Sequence, residues 1–235
     1  MSGGFPNKPK ILRGAFVEFG LSLPPLIVPF QFNPVDLKRN RSLTFSGTGA
    51  PATPAGSAKA GETTVAGPSL RQFHQQDKFS NLLDLRRAQK VTVQEETIQF
   101  DMRLDATEKL EEGDPLATQF GIMPQLSSLE LMLYPKSESL FAADLGFRFT
   151  RGENPPMILF IWGRKRVLPV NINSMNITET EFSTDLNPIR ATLSVSLTVI
   201  EGPNPVFTYS KAMKEVMSGL NLANIANITD VVIPG

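Results

Sequence analysis

Residues 190–200 read RATLSVSLTVI. Leu193, Val195, Leu197 and Val199 alternate with Thr192, Ser194, Ser196 and Thr198. That two-residue period predicts a strand with one face for a core and one small, polar face for water. It is the clearest strand signal in the chain, and the rest of the sequence is read around it.

Arg13–Phe19 and Ile27–Phe32 are rich in β-branched and aromatic residues and predict two more strands, with Pro24-Pro25 in the connection. Pro29 lies inside the second run and predicts a sheet edge or an irregularity. Asn33-Pro34 ends that run, and a further strand is expected over Arg39–Phe45. In Val91–Leu104 the alternation of Val91 and Val93 is out of phase with that of Ile98, Phe100, Met102 and Leu104. A bulge or bend near Glu95 would reconcile the two phases, giving one long strand or two in line. Ile122, Leu126, Leu129 and Leu133 fall at helical spacing, Pro124 suits a first turn, and Pro135 closes the segment, so 121–134 predicts a core helix. Met157–Trp162 and Val167–Ile177 predict a hairpin across the polar 163–166 connection. A short helix is expected over 209–222, interrupted at Gly219, and then a tail.

Of the 25 residues from Ser46 to Leu70, 21 are Gly, Ala, Pro, Ser or Thr. Such a segment offers too little apolar surface to offset its ordering entropy and predicts a flexible surface loop. The expected organisation is one domain over 1–201 that includes this loop, and a C-terminal helix and tail over 202–235.

Composition narrows the chemistry. The 235 residues carry 23 Lys and Arg against 23 Asp and Glu, whereas a nucleic-acid binder usually has a basic excess. There is no cysteine, and His74 is the only histidine. Thiolate metal sites, cysteine nucleophiles and multi-histidine centres are thereby excluded, and a Ser-His-Asp triad would have to use His74. The acidic run DATEKLEEGDP (105–115) lacks calcium-loop spacing and reads as a solvated loop. No phosphate loop is present, so neither cofactor, metal nor catalytic residue is expected, and the chain is not expected to be an enzyme. Trp162 beside Arg164, Lys165 and Arg166 could stack and bind phosphate, but zero net charge favours a charged hairpin tip beside a core tryptophan. No stretch reaches the ~20 apolar residues of a membrane helix. Glu18 and three prolines break the only signal-like segment near the N-terminus, so cytoplasmic synthesis without a signal peptide is expected.

Four blocks in order, FQFNPVDLKR (30–39), ETIQFDMRLDAT (96–107), GIMPQLSSLELMLYP (121–135) and the run 156–199 containing LFIWGRKRVLPVNINSMNITETEFSTDLNPIRATLSVSLTV, resemble the tube-like N-terminal domain of contractile injection system tube and baseplate proteins. The resemblance spans roughly residues 10–201. It implies a mainly β (α+β) chain with a phage-tail-tube-like β-barrel or sandwich and one packed helix, six copies closing into a ring around a lumen. It implies a structural role as the hexameric adapter that joins the trimeric spike to the inner tube, contacts baseplate proteins and initiates the tube inside a bacterial phage-tail-like particle. Neither nucleic acid nor direct membrane insertion is implied. A repeated inner-tube subunit is the alternative, and a glycan-binding module a third reading with only one Trp and two Tyr to serve it. The lysin-motif domain that often follows in this family is not expected in the 35 residues after Ile200. The motif residues Asn33, Pro34, Leu37, Arg39, Trp162, Arg164, Arg166, Asn187, Pro188 and Arg190 are the candidates for intersubunit or fold-defining positions.

Overall fold

The computed structural model describes residues 12–20, 25–46, 69–77, 79, 81–135 and 154–223. The predicted loop over 46–70 falls outside them from 47 to 68, as do the signal-like start up to residue 11 and the tail beyond 223. In chain order the elements are β1 (Ala15–Glu18), β2 (Ile27–Pro29), β3 (Lys38–Asn40), β4 (Leu43–Ser46), α1 (Leu70–His74), α2 (Leu82–Ala88), β5 (Lys90–Val93), β6 (Thr97–Asp105), α3 (Thr107–Glu111), α4 (Pro115–Phe120), α5 (Met123–Leu131), β7 (Ile158–Ile161), β8 (Val167–Phe182), β9 (Pro188–Val199) and α6 (Pro205–Ala223). The chain divides into two compact units, Met1–Arg39 with Thr97–Gly235, and Asn40–Glu96.

The first unit is built on a seven-stranded sheet ordered β2-β1-β7-β8-β9-β6-β3. This corrects the expected barrel or sandwich with one packed helix. The fold is mixed α/β, with an open sheet and six helices among the described residues. The end strands β2 and β3 are three residues each and do not pair with one another, and Pro29 in β2 has no N–H to donate. The additional helices have local causes. Asp114 Oδ1 accepts from Ala117 N at 2.8 Å with Pro115 at the first position of α4, so part of the predicted acidic loop is helical. The C-terminal helix is long, 19 residues, and runs through Gly219.

The open sheet curls tightly. Phe16 on β1 and Phe100 on β6 are four strands apart, about 19 Å along a flat sheet. Their rings lie 6.1 Å apart, with Phe30 at 5.1 Å from Phe16 and 5.7 Å from Phe100. Phe160, Ile98, Leu193, Leu197 and Val199 fill the same core, and Ile122, Leu126 and Leu129 are buried in it from α5 and the residue before it.

Register follows the alternation. β6 and β9 pair without interruption from Thr97↔Thr198 to Asp105↔Arg190. β8 and β9 pair with one irregularity, between Ile172 and Ser174. The extra residue, Asn173, changes the phase of β8, so Met175 and Ile177 pack against the core and Ser174, Asn176 and Thr178 are exposed.

The second unit contains a separate two-stranded ribbon of β4 and β5, from Leu43↔Val93 to Ser46↔Lys90. The phase change near Glu95 is therefore a change of sheet, and the strand expected over 39–45 is likewise two short strands in different sheets. α1 begins in a Ser69–Gln72 capping box, and α2 is capped by Asn81. Phe73 is buried, with the Phe79 ring 5.0 Å away. His74 is a helix residue 3.2 Å from the Gln89 side-chain nitrogen.

Candidate functional site: a polar sheet face

The surface of the central strands β6, β9 and β8 opposite the core is polar in the five rows that all three strands share, and the next β8–β9 row, Phe182↔Pro188, is apolar with Phe182 half exposed. Across the strands the rows are Thr97–Thr198–Asn171, Gln99–Ser196–Ser174, Asp101–Ser194–Asn176, Arg103–Thr192–Thr178 and Asp105–Arg190–Thr180. The alternation that buries Ile98, Phe100, Met102 and Leu104 places a hydrophilic side chain at each intervening position of β6. Cross-strand hydrogen bonds hold the rows: Ser194 Oγ donates to Asp101 Oδ1 at 2.6 Å, and Asn173 Nδ2 to Thr198 Oγ1 at 2.7 Å. Towards β3 the face meets Asp36 and Lys38, which pair at 3.7 Å, and a shallow groove of about 260 Å³ opens over Asp101, Ser174, Asn176 and Ser194.

At one end the face is tied down by an ion-pair latch. Arg190 Nε donates to Asp105 Oδ2 at 2.8 Å, and its other nitrogens reach Glu181 Oε1 and Thr107 Oγ1. Asp105 Oδ1 also accepts from Thr107 Oγ1 at 2.6 Å and Thr107 N at 3.0 Å. Burial of the carboxyl raises its pKa, but the hydrogen bonds from Thr107 together with the hydrogen bond and charge of Arg190 outweigh that, and the group is held below its ordinary value. The backbone of Asp105 turns away from β9 and is taken by one side chain: Gln31 Nε2 donates to Asp105 O and Gln31 Oε1 accepts from Asp105 N at 2.8 Å. The Gln31 amide thereby does the work of a further strand at that point of the edge.

The motif residues fall into two groups. Asn187 and Pro188 stand with Arg190 at the latch end. Asn187 Nδ2 donates to Gln119 O at 2.9 Å, and Pro188 O accepts from Ile122 N at 2.9 Å. Gly121, at φ +56, fits there because a Cβ would come 2.1 Å from Pro188 O. In the other group Asn33 Oδ1 accepts from Gly14 N and its Nδ2 donates to Leu12 O, both at 2.9 Å. A Cβ on Gly14 would come 2.9 Å from Trp162, whose ring stacks on Phe160 at 5.9 Å. Trp162 N donates to Arg166 O across the β7–β8 turn, and Arg164 is exposed with its carbonyl accepting from Tyr209. Pro34 is half-buried, Leu37 packs on the core, and Arg39 is exposed on β3.

Gln31, Thr107 and Gly121 were not singled out by sequence, and Asp105 was read only as the first residue of the acidic run 105–115, not as the partner of Arg190. Their partners lie far away along the chain, 85 residues for Asp105 and Arg190 and 74 for Gln31 and Asp105. The signal that was available is the unbroken polar phase of 97–105, read together with that of 190–199. Among the described residues no group of three or more His, Asp or Glu is placed to hold a metal ion, and no helix is long and apolar enough to cross a membrane. The face offers hydroxyl, amide and carboxylate groups in fixed rows, an arrangement suited to holding a layer of water. No protein-family model matches the chain, and no curated protein matches it.

Proposed function

We propose that the chain is a structural subunit of a contractile injection system, a hexameric baseplate-hub adapter that joins the trimeric spike to the inner tube and starts tube assembly. The observation that carries this reading is the run of five three-strand rows whose fifteen positions are all polar, ended at the latch by the apolar Phe182–Pro188 pair. In a ring with this face inward, the five polar rows wet the channel wall and offer a passing chain little apolar surface to stick to. The open sheet supports the reading as well, because edges exposed in a single copy are protected when copies associate. Three of the four sequence blocks that carry the resemblance supply β6, α5, β7, β8 and β9, the elements that form and support the face, and the first supplies Lys38 and Arg39 of β3. A repeated inner-tube subunit is the second reading. The two readings differ in copy number, one ring per particle end against many.

The chain has no cysteine, so one introduced thiol reports on one position. In assembled particles Ser194→Cys is expected to react with a small maleimide and to be protected from a maleimide carried on a bulky protein. Equal reaction with both reagents would contradict an inward-facing surface.

A further inference from the structure

Two apolar faces are left exposed among the described residues. The first is one side of the β4–β5 ribbon. Leu43 pairs with Val93 and Phe45 with Val91, so these four side chains share one face, while Thr44, Thr92, Ser46 and Lys90 share the other. The apolar four are 49%, 52%, 45% and 46% exposed in the order Leu43, Val93, Phe45, Val91. A two-stranded ribbon is marginal unless its apolar side packs on something.

The second is on α6. The first half of that helix is anchored. Asn204 Oδ1 accepts from Phe207 N at 2.7 Å, Phe207 packs on the core, and Ser210 Oγ donates to Val167 O. From Lys214 to Asn221 every residue is exposed. Met213, Val216, Met217 and Leu220 follow the i, i+3, i+4, i+7 spacing of one helical face. Val216, Met217 and Leu220 on that face are 55%, 37% and 58% exposed.

We infer that these faces are the two halves of one contact between copies: the ribbon of each copy receives the distal part of α6 from its neighbour. Their lengths agree, since four paired residues make a ribbon about 13 Å long and Met213 to Leu220 spans about 10 Å of helix axis. Their kinds agree too, because a helix laid on the apolar side of a ribbon makes a two-layer core. Ribbon on ribbon would leave the helix stripe wet in every copy. The head-to-tail pairing covers both faces in every copy once a ring closes. Area also points to a ring. The two faces expose roughly 600 Å² together, little more than a third of the about 1,600 Å² that a standard interface buries. A free pair held by this contact alone is weak, whereas each member of a closed ring makes it twice.

The inference rests on the ring reading in needing a second copy, and the test separates the two. Full-length Val91→Cys and Met217→Cys chains carrying different tags are mixed and mildly oxidised. The expected product is a disulfide-linked dimer with one chain of each kind, at least tenfold over either homodimer, and the double variant should give a ladder of multimers. Thr92→Cys, on the polar side of the ribbon, should not link to Met217→Cys. Val91→Asp should melt like the wild-type chain diluted to monomer and lose the ring by native mass spectrometry. A wild-type ring with no mixed dimer would overturn this contact and leave the ring standing. Predominant Val91→Cys homodimer, or an internally linked monomer from the double variant, would overturn it in favour of ribbon-on-ribbon or within-chain packing. A wild-type chain that is monomeric at every concentration would overturn both the contact and the ring.

Discussion

Asp105 illustrates how one residue joins sequence to the polar sheet face. Its side chain ends the polar phase of β6 and holds Arg190, and its backbone is clasped by Gln31. Because its pKa is lowered on folding, the unfolded chain binds the proton more readily, so the contribution of this carboxylate is complete above the ordinary carboxylate range. It is lost as pH falls through the lower, folded value. Asp105→Asn is expected to cost about 1.5–3 kcal/mol at pH 7, the range for hydrogen bonds to charged groups. Urea titrations of both proteins from pH 7 down to about pH 3 should show the difference shrinking on the acid side. A difference that stays constant across that range would mean that the carboxylate charge is not what holds the latch. At this scale the Asn33-Pro34 and Asn187-Pro188 pairs were picked out in the sequence, the first as the end of a strand run. Their partners were not, since Gln119, Gly121 and Gly14 are set by tertiary approach.

At the scale of elements, one rule applied to two segments had two outcomes. A break in two-residue alternation means that the strand either bulges or changes sheet. Near Glu95 the expected reading was a bulge or bend within one strand or two in line, and the chain instead passes from the β4–β5 ribbon to the seven-stranded sheet. In 167–182 the same break separates Leu168, Val170 and Ile172 from Met175 and Ile177, and there it is a bulge at Asn173. Phase alone does not distinguish the cases, because the partner strand decides between them. The strand at β9 was legible because its alternation is long and uninterrupted, and the hairpin of β7 and β8 because two apolar runs flank a polar connection, whereas the extra length of β8, to Phe182, was not, because Thr178–Phe182 carries no buried side chain. The short helices between 69 and 120 were missed where capping residues, and not periodicity, carry the signal. Deleting Asn173 removes the phase change and would turn Met175 and Ile177 out of the core. The expected cost is more than about 3 kcal/mol, comparable to opening a core cavity at each position. A deletion variant with near-wild-type thermal stability would show that β8 can slip without penalty.

At the scale of the molecule, the expectation of a closed or sandwiched β domain gave way to an open, curled sheet with helices. Hydrophobic alternation reports which face of a strand is covered but carries no information about whether the first and last strands meet. That question was decided by β2 and β3, two three-residue strands whose sequences say little. The same openness gives the proposed ring its physical rationale, with a polar face for the channel and unclosed edges and apolar faces for neighbours. The most direct test is the number of copies of this chain in purified particles, measured by quantitative mass spectrometry against the sheath and inner-tube subunits. The account predicts six copies per particle end, one ring, far below the tube subunit. A ratio equal to that of the repeated tube subunit would make the chain tube body and contradict the adapter reading, and its absence from the particles would contradict the structural assignment altogether.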